Sequence, residues 1–160
     1  MINGSEPFEG KTENVHQVIP AFYAQNQLEA LNLGNDLITE LAHFAPDKKD
    51  VELRTVLGAF LFTGDDVFKK IKVLSGGEKS RVALAKTMLS KANFLILDEP
   101  TNHLDMQSVA ILISVLQEYE GSFIIVSHDR YFLSAVANKI WWIEDYQVKE
   151  YPGDYEEYEY

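Results

Sequence analysis

Three short groups of residues in this chain are able to do chemistry. Leu74-Ser75-Gly76-Gly77-Glu78 sets a hydroxyl and a carboxylate three residues apart. That is capping-box spacing, in which the two side chains satisfy free N–H groups at a helix start. Gly76 and Gly77 let another molecule approach the backbone there, and a helix N-terminus attracts phosphate. Phe94-Leu95-Ile96-Leu97-Asp98-Glu99-Pro100 is an apolar run that ends in adjacent carboxylates. It reads as a buried parallel strand, and open α/β sheets carry their ligands outside the carboxyl ends of such strands. Asp98 is a candidate ligand for Mg²⁺, and Glu99 a candidate to orient a water for attack on a phosphate. Phe123-Ile124-Ile125-Val126 is a second buried strand, ending at Ser127-His128-Asp129-Arg130.

Taken together, Leu74–Glu78 and Leu95–Pro100 resemble the signature and Walker B motifs of ATP-binding cassette (ABC) ATPases. The run Glu99-Pro100-Thr101-Asn102-His103-Leu104-Asp105 resembles the ABC-F subfamily, soluble proteins with two cassettes and no membrane domain, many of which act on ribosomes. The resemblance covers the chain from about Val15 to Tyr155. It implies an α/β fold, a partial ABC nucleotide-binding domain with a mostly parallel sheet core and a helical subdomain. The helical subdomain spans about 30–75, the core from signature helix to H-loop about 76–150, and an acidic tail 151–160.

The resemblance also assigns roles. ATP and Mg²⁺ are the implied cofactors. Asp98 and Gln25 would contact the metal; Glu99, His128 and Gln25 would be catalytic. Ser75, Gly76, Gly77, Glu78 and Asp105 would bind nucleotide, with Ser75 and Gly77 acting in trans on ATP held by a second cassette. Gln25 follows the strand-like Phe22-Tyr23-Ala24 and matches the family's Q-loop glutamine. Without the neighbouring motifs it reads as a polar loop residue. His128 matches the switch histidine that bonds the γ-phosphate, and Asp105 the end of the D-loop. By residue type alone Asp105 is a helix N-cap, and both roles can hold together.

Gly4-Ser5-Glu6-Pro7-Phe8-Glu9-Gly10-Lys11-Thr12 nearly spells a P-loop. The glycines are one residue too far apart, Glu6 and Glu9 would face a phosphate, and no apolar strand precedes Gly4. We expect the P-loop to lie upstream of Met1, so that this chain is the later portion of a cassette, the second of a tandem protein, and catalytically incomplete alone.

The remaining elements position these groups. Residues 16–24, with Pro20 inside, suggest an edge strand. Leu37, Ile38, Leu41, Ala42 and Ala45 have helical spacing, closed by Pro46. Val51, Val56, Leu57, Phe60 and Leu61 predict a second helix entered from Asp47 or Asp50, and Gly64-Asp65-Asp66 a short third. The signature helix runs from about Gly77 to Leu89, burying Val82, Ala85, Met88 and Leu89 and turning Lys79, Arg81 and Lys86 outward or to a partner. Asp105 begins a helix with Met106, Val109, Ala110, Ile113 and Leu116 on one face. Lys139–Ile143 and Val148–Glu150 read as strands joined by a turn at Asp145-Tyr146-Gln147.

The 160 residues suffice for one domain, and the formal net charge is −11. That balance argues against non-specific binding to nucleic acid. The chain has no cysteine, hence no disulfide framework or thiolate metal site. No apolar run approaches the roughly 20 residues of a membrane helix, and the N-terminus lacks signal-peptide features. We expect a cytoplasmic protein without membrane insertion, partnered by a second cassette in cis and by the ribosome. Two other classes compete. The ATP-binding subunit of an ABC transporter commonly carries Ser-Ala-Leu-Asp where this chain has Asn102-His103-Leu104-Asp105. A non-enzymatic interaction module would have no need of Gln25, Asp98, Glu99 and His128 together.

Overall fold

The computed structural model describes residues 16–24, 28–153 and 155–158. Gln25, the stretch Gly4–Thr12, and Asp154 and Glu159 of the acidic tail lie outside them. The chain runs β1 (Pro20–Tyr23), α1 (Leu37–Phe44), α2 (Asp50–Ala59), α3 (Gly76–Leu89), β2 (Phe94–Asp98), α4 (Met106–Gln117) and β3 (Ser122–Val126). It continues through α5 (Arg130–Val136), the strands β4 (Ile140–Glu144) and β5 (Gln147–Tyr151), and α6 (Tyr155–Tyr158). Between α2 and α3 lie two 3₁₀ turns, Gly64–Phe68 and Ile71–Val73.

β1, β2 and β3 form a parallel sheet in that order, in register Ala21↔Leu95 and Leu95↔Phe123. β2 is in the middle, which is why it is the most continuously apolar run, with Leu95 and Leu97 buried. Pro20 opens β1 at the outer side of this sheet, a position that tolerates a missing N–H. Asn93 ties the strand beginnings together. Its side chain accepts from the Ile19 N–H and donates to the Gln17 carbonyl, both at 2.8 Å. Its own carbonyl accepts from the Ser122 N–H at 3.1 Å.

The fold is thus α/β with a parallel sheet and packed helices, as the resemblance implied. α3 packs on β1 and against α1 and α2, while α4 packs on α5. The core is built from Leu37, Leu41, Leu57, Leu84, Leu95, Leu97, Leu112 and Phe132, all buried. Each such side chain contributes about 1.5–3 kcal/mol on leaving water.

Three expectations about the helices need correction. On α4, Val109, Ile113 and Leu116 are buried, but Met106 is 85% exposed and Ala110 is exposed as well, so neither belongs to the buried face. The second helix starts at Asp50 after Lys49, whose N–H is capped by the Glu52 carboxylate at 3.0 Å. It buries Leu53 and Leu57, one turn apart, and leaves Val51 73% exposed. In the signature helix, Arg81 and Lys86 do not simply face solvent. Arg81 lies over the Phe62 ring at 4.9 Å, and Lys86 donates to Glu40 of α1 at 2.6 Å.

β4 and β5 pair antiparallel as a separate hairpin. Its turn consists of Asp145 and Tyr146, with φ of 51° and 61°. Two left-handed residues match the right-handed twist of a hairpin. Gln147, read as part of the turn, instead opens β5 opposite Glu144.

Candidate functional site

The start of α3 is capped as its spacing predicts. The Ser75 hydroxyl accepts from the Glu78 N–H at 3.2 Å, and the Glu78 carboxylate accepts from the Ser75 N–H at 2.8 Å. The bond from Ser75, against a smaller opposing effect of burial, holds the Glu78 carboxyl below its ordinary range. Gly76 and Gly77 fall in the first turn, where a helix leaves N–H groups without internal partners.

β2 delivers Asp98 to the carboxyl edge of the sheet, exposed and opposite Val126. The next residue, Glu99, is left-handed, with φ of 47°. Its N–H donates to the Val126 carbonyl at 2.8 Å, which holds the bend against β3. Two residues beyond Val126 stands His128, and its Nδ1 lies 2.9 Å from Glu99 Oε2. The parallel register explains the meeting, because both side chains leave neighbouring strands at the same end. The His128 imidazole is raised above its ordinary pKa, first by the hydrogen bond to Glu99 and then by the charge of that carboxylate. His128 is 77% exposed and Glu99 30%, so the pair can be reached from solvent.

The segment after Glu99 is a tight turn. The Asn102 N–H donates to the Glu99 carbonyl at 3.1 Å and the Leu104 N–H to the Thr101 carbonyl at 3.0 Å. Asp105 then caps α4, accepting from the Ser108 N–H at 2.7 Å. That backbone bond lowers the Asp105 pKa. Asp129 caps α5 in the same way, accepting from the Phe132 N–H at 3.0 Å, and so fixes the exit of the His128 loop.

Of the residues singled out in the sequence, the structure brings together Glu99 with His128, and Ser75 with Glu78. Asp98 adjoins the first pair in the chain, and the D-loop turn leads from Glu99 to Asp105. Gln25 is outside the described residues. Among those residues no cluster of three or more His, Asp or Glu forms a metal cage. A lone exposed carboxylate such as Asp98 is nevertheless a donor set that suits Mg²⁺, which keeps several waters and takes further oxygens from phosphates.

The sequence reading missed the network around Glu40. This carboxylate is 5% exposed and accepts from Lys86 Nζ at 2.6 Å and from Asn35 Nδ2 at 2.8 Å. Burial alone would raise its pKa, but the Lys86 and Asn35 bonds outweigh that and leave it lowered. The signal available was a glutamate on the apolar stripe of α1, three residues after Leu37.

This arrangement, two parallel strands ending in an acid pair and a histidine beside a capped glycine helix, defines a nucleotide-binding domain of the cassette type. The chain belongs to the ABC transporter family, whose family model matches residues 3–102. It is 46% identical over 158 residues to "Putative ATP-binding protein YdiF" of Bacillus subtilis (strain 168), covering 99% of this chain and 24% of that protein. It is 40% identical to "ABC transporter F family member 5" of Arabidopsis thaliana, covering 89% of this chain and 21% of the relative. The chain therefore spans about a quarter of the length of these relatives. Its fold superposes with a TM-score of 0.69 on a dimeric ATP-binding cassette solved in a post-hydrolysis state bound to ADP and Pi. That likeness is 19% identical in sequence and covers 84% of this chain and 63% of the other. No helix among the described residues is long and apolar enough to cross a membrane.

Proposed function

We propose that this chain is part of an ABC-F-type cassette that hydrolyses ATP in a pair with a second cassette and acts on ribosomes. The observation that carries hydrolysis is the contact of Glu99 with His128 at 2.9 Å, at the carboxyl edge of the sheet beside Asp98. The ABC-F reading is supported by the D-loop sequence Asn102-His103-Leu104-Asp105 and by relatives that bear the ABC-F name.

In this reading Asp98 holds Mg²⁺, which when bound neutralises charge on the β- and γ-phosphates. Glu99 accepts a hydrogen bond from the attacking water and polarises it. His128, its proton favoured by the neighbouring carboxylate, donates to a γ-phosphate oxygen. Gln25 contributes at the metal and the water. Ser75 and Gly77 close on ATP bound to the opposite cassette, where the open N–H groups of α3 suit a phosphate. Catalysis of this kind is positioning and charge stabilisation. Residues 30–75 act as the helical subdomain, 76–150 as the core and 151–160 as a solvated acidic tail. Turnover needs the longer protein, because the near-P-loop Gly4–Thr12 has the wrong spacing and charge to cradle phosphates.

The ribosome reading is tested by sedimentation. Full-length Glu99→Gln protein, expressed in cells and run through a gradient with ATP, is expected to co-migrate with ribosomes. Recovery in the membrane fraction with a permease would replace this reading by that of a transporter subunit.

A further inference from the structure

The two glycines that open α3 stand in different surroundings. A Cβ built on Gly76 meets nothing within 4 Å, whereas one built on Gly77 lies 3.0 Å from the backbone carbonyl oxygen of His103. Neither side of that contact gives easily. On the helix side, the Ser75–Glu78 box fixes the first turn, and the buried Ser80 hydroxyl donates to the Gly76 carbonyl at 3.1 Å. On the loop side, His103 is left-handed with φ of 66°. It sits in the turn closed by the Leu104 N–H on the Thr101 carbonyl, with Thr101 itself buried. One residue beyond that bond, Asp105 is anchored to the Ser108 N–H.

We propose that Gly77 and the His103 carbonyl form a stop between the signature helix and the D-loop of the same chain, making His103 a positioning residue. The left-handed backbone at 103 presents the carbonyl, and the absent side chain at 77 lets the helix seat against it. A Cβ at 77 must push the carbonyl away by a few tenths of an ångström. The displacement passes through a two-bond turn to Glu99 on one side and Asp105 on the other. The stop thus links any shift of α3 to the residue that follows Asp98. The contact stands on geometry alone; its effect on turnover rests on the ATPase reading.

Amide hydrogen exchange of the full chain, resolved at residues 99–105, tests it. Gly77→Ala is expected to speed exchange of the Asn102 and Leu104 amides about tenfold, and Gly76→Ala by less than about twofold. A glycine at 103 frees the carbonyl to swing aside. Adding Gly77→Ala to His103→Gly is therefore expected to change exchange by less than about twofold, the non-additivity of groups in contact. Equal effects of the two glycine variants, or an undiminished Gly77→Ala effect in the His103→Gly background, would overturn the stop. If Gly77→Ala unfolds the chain, recovery of the fold by His103→Gly supports the stop and failure to recover overturns it. In the full-length protein, Gly77→Ala should lower kcat more than it raises KM, with His103→Gly restoring part of the loss. A wild type without hydrolysis would sink the ATPase reading, and exchange alone would then decide the stop.

Discussion

Glu99 is a non-glycine residue in left-handed backbone, and that conformation costs of the order of 1–3 kcal/mol wherever the surroundings enforce it. What enforces it is visible: the N–H on the Val126 carbonyl and the carboxylate on His128. The bend turns the carboxylate out of the strand direction to the histidine. The His128 pKa is raised by that partner. A raised folded pKa means that the pair's contribution to stability is complete below the unfolded value of about 6.5 and fades as pH climbs through the folded one. We expect imidazole resonances of His128 to titrate above the ordinary histidine range. Glu99→Gln should bring the midpoint back down, since the neutral amide lacks the charge. An unchanged midpoint in that variant would break the link between the two side chains. Both residues were legible in the sequence, because each terminates an apolar run. The left-handed turn at Glu99 was not, since no glycine or asparagine marks it.

Among the elements, α3 is the one on which the others converge. Its capping box was readable from Ser75 and Glu78 three residues apart, and its buried stripe from Val82, Ala85 and Leu89. Lys86 was not readable, because its partner Glu40 lies 46 residues away on α1 and only the fold brings them together. The pair clamps α1 to α3 across their packing contact. Removing Lys86 leaves a buried carboxylate without its cation, which costs about 1–3 kcal/mol or more. Lys86→Ala should therefore lower the urea midpoint without changing the denaturant slope. Because Glu40 is lowered on balance in the folded chain, its contribution is present above the unfolded pKa and lost as pH falls through the folded one. The variant's deficit should accordingly shrink in acid. A Lys86→Ala chain with wild-type stability at neutral pH would show that the clamp contributes nothing.

For the whole molecule, the telling surfaces are a sheet edge and a hairpin face. β3 has β2 on one side and, among the described residues, no strand on the other, and Val126 is 55% exposed. On the hairpin, Trp141, Ile143 and Val148 are exposed, with Ile143 and Val148 directly paired on one face. Free strand edges and contiguous apolar patches drive association. The net charge of −11 opposes it through repulsion that salt screens. The 160-residue chain on its own is expected to self-associate in sedimentation velocity, and more so as salt is raised. A salt-independent monomer that melts cooperatively would contradict this. The overall architecture was legible because three apolar runs and their intervening helical stretches alternate as an α/β fold requires. The exposed face of the hairpin was not, since an apolar run carries no mark of whether it will be covered.

The central claim is that Glu99 polarises the water that attacks ATP. Phosphate release by the full-length protein with Mg-ATP, wild type against Glu99→Gln, tests it most directly. The glutamine keeps the size and a hydrogen-bonding group but removes the base. The account predicts retained ATP binding and a turnover lowered by about 10²–10⁴. Turnover near the wild-type rate in Glu99→Gln would contradict it.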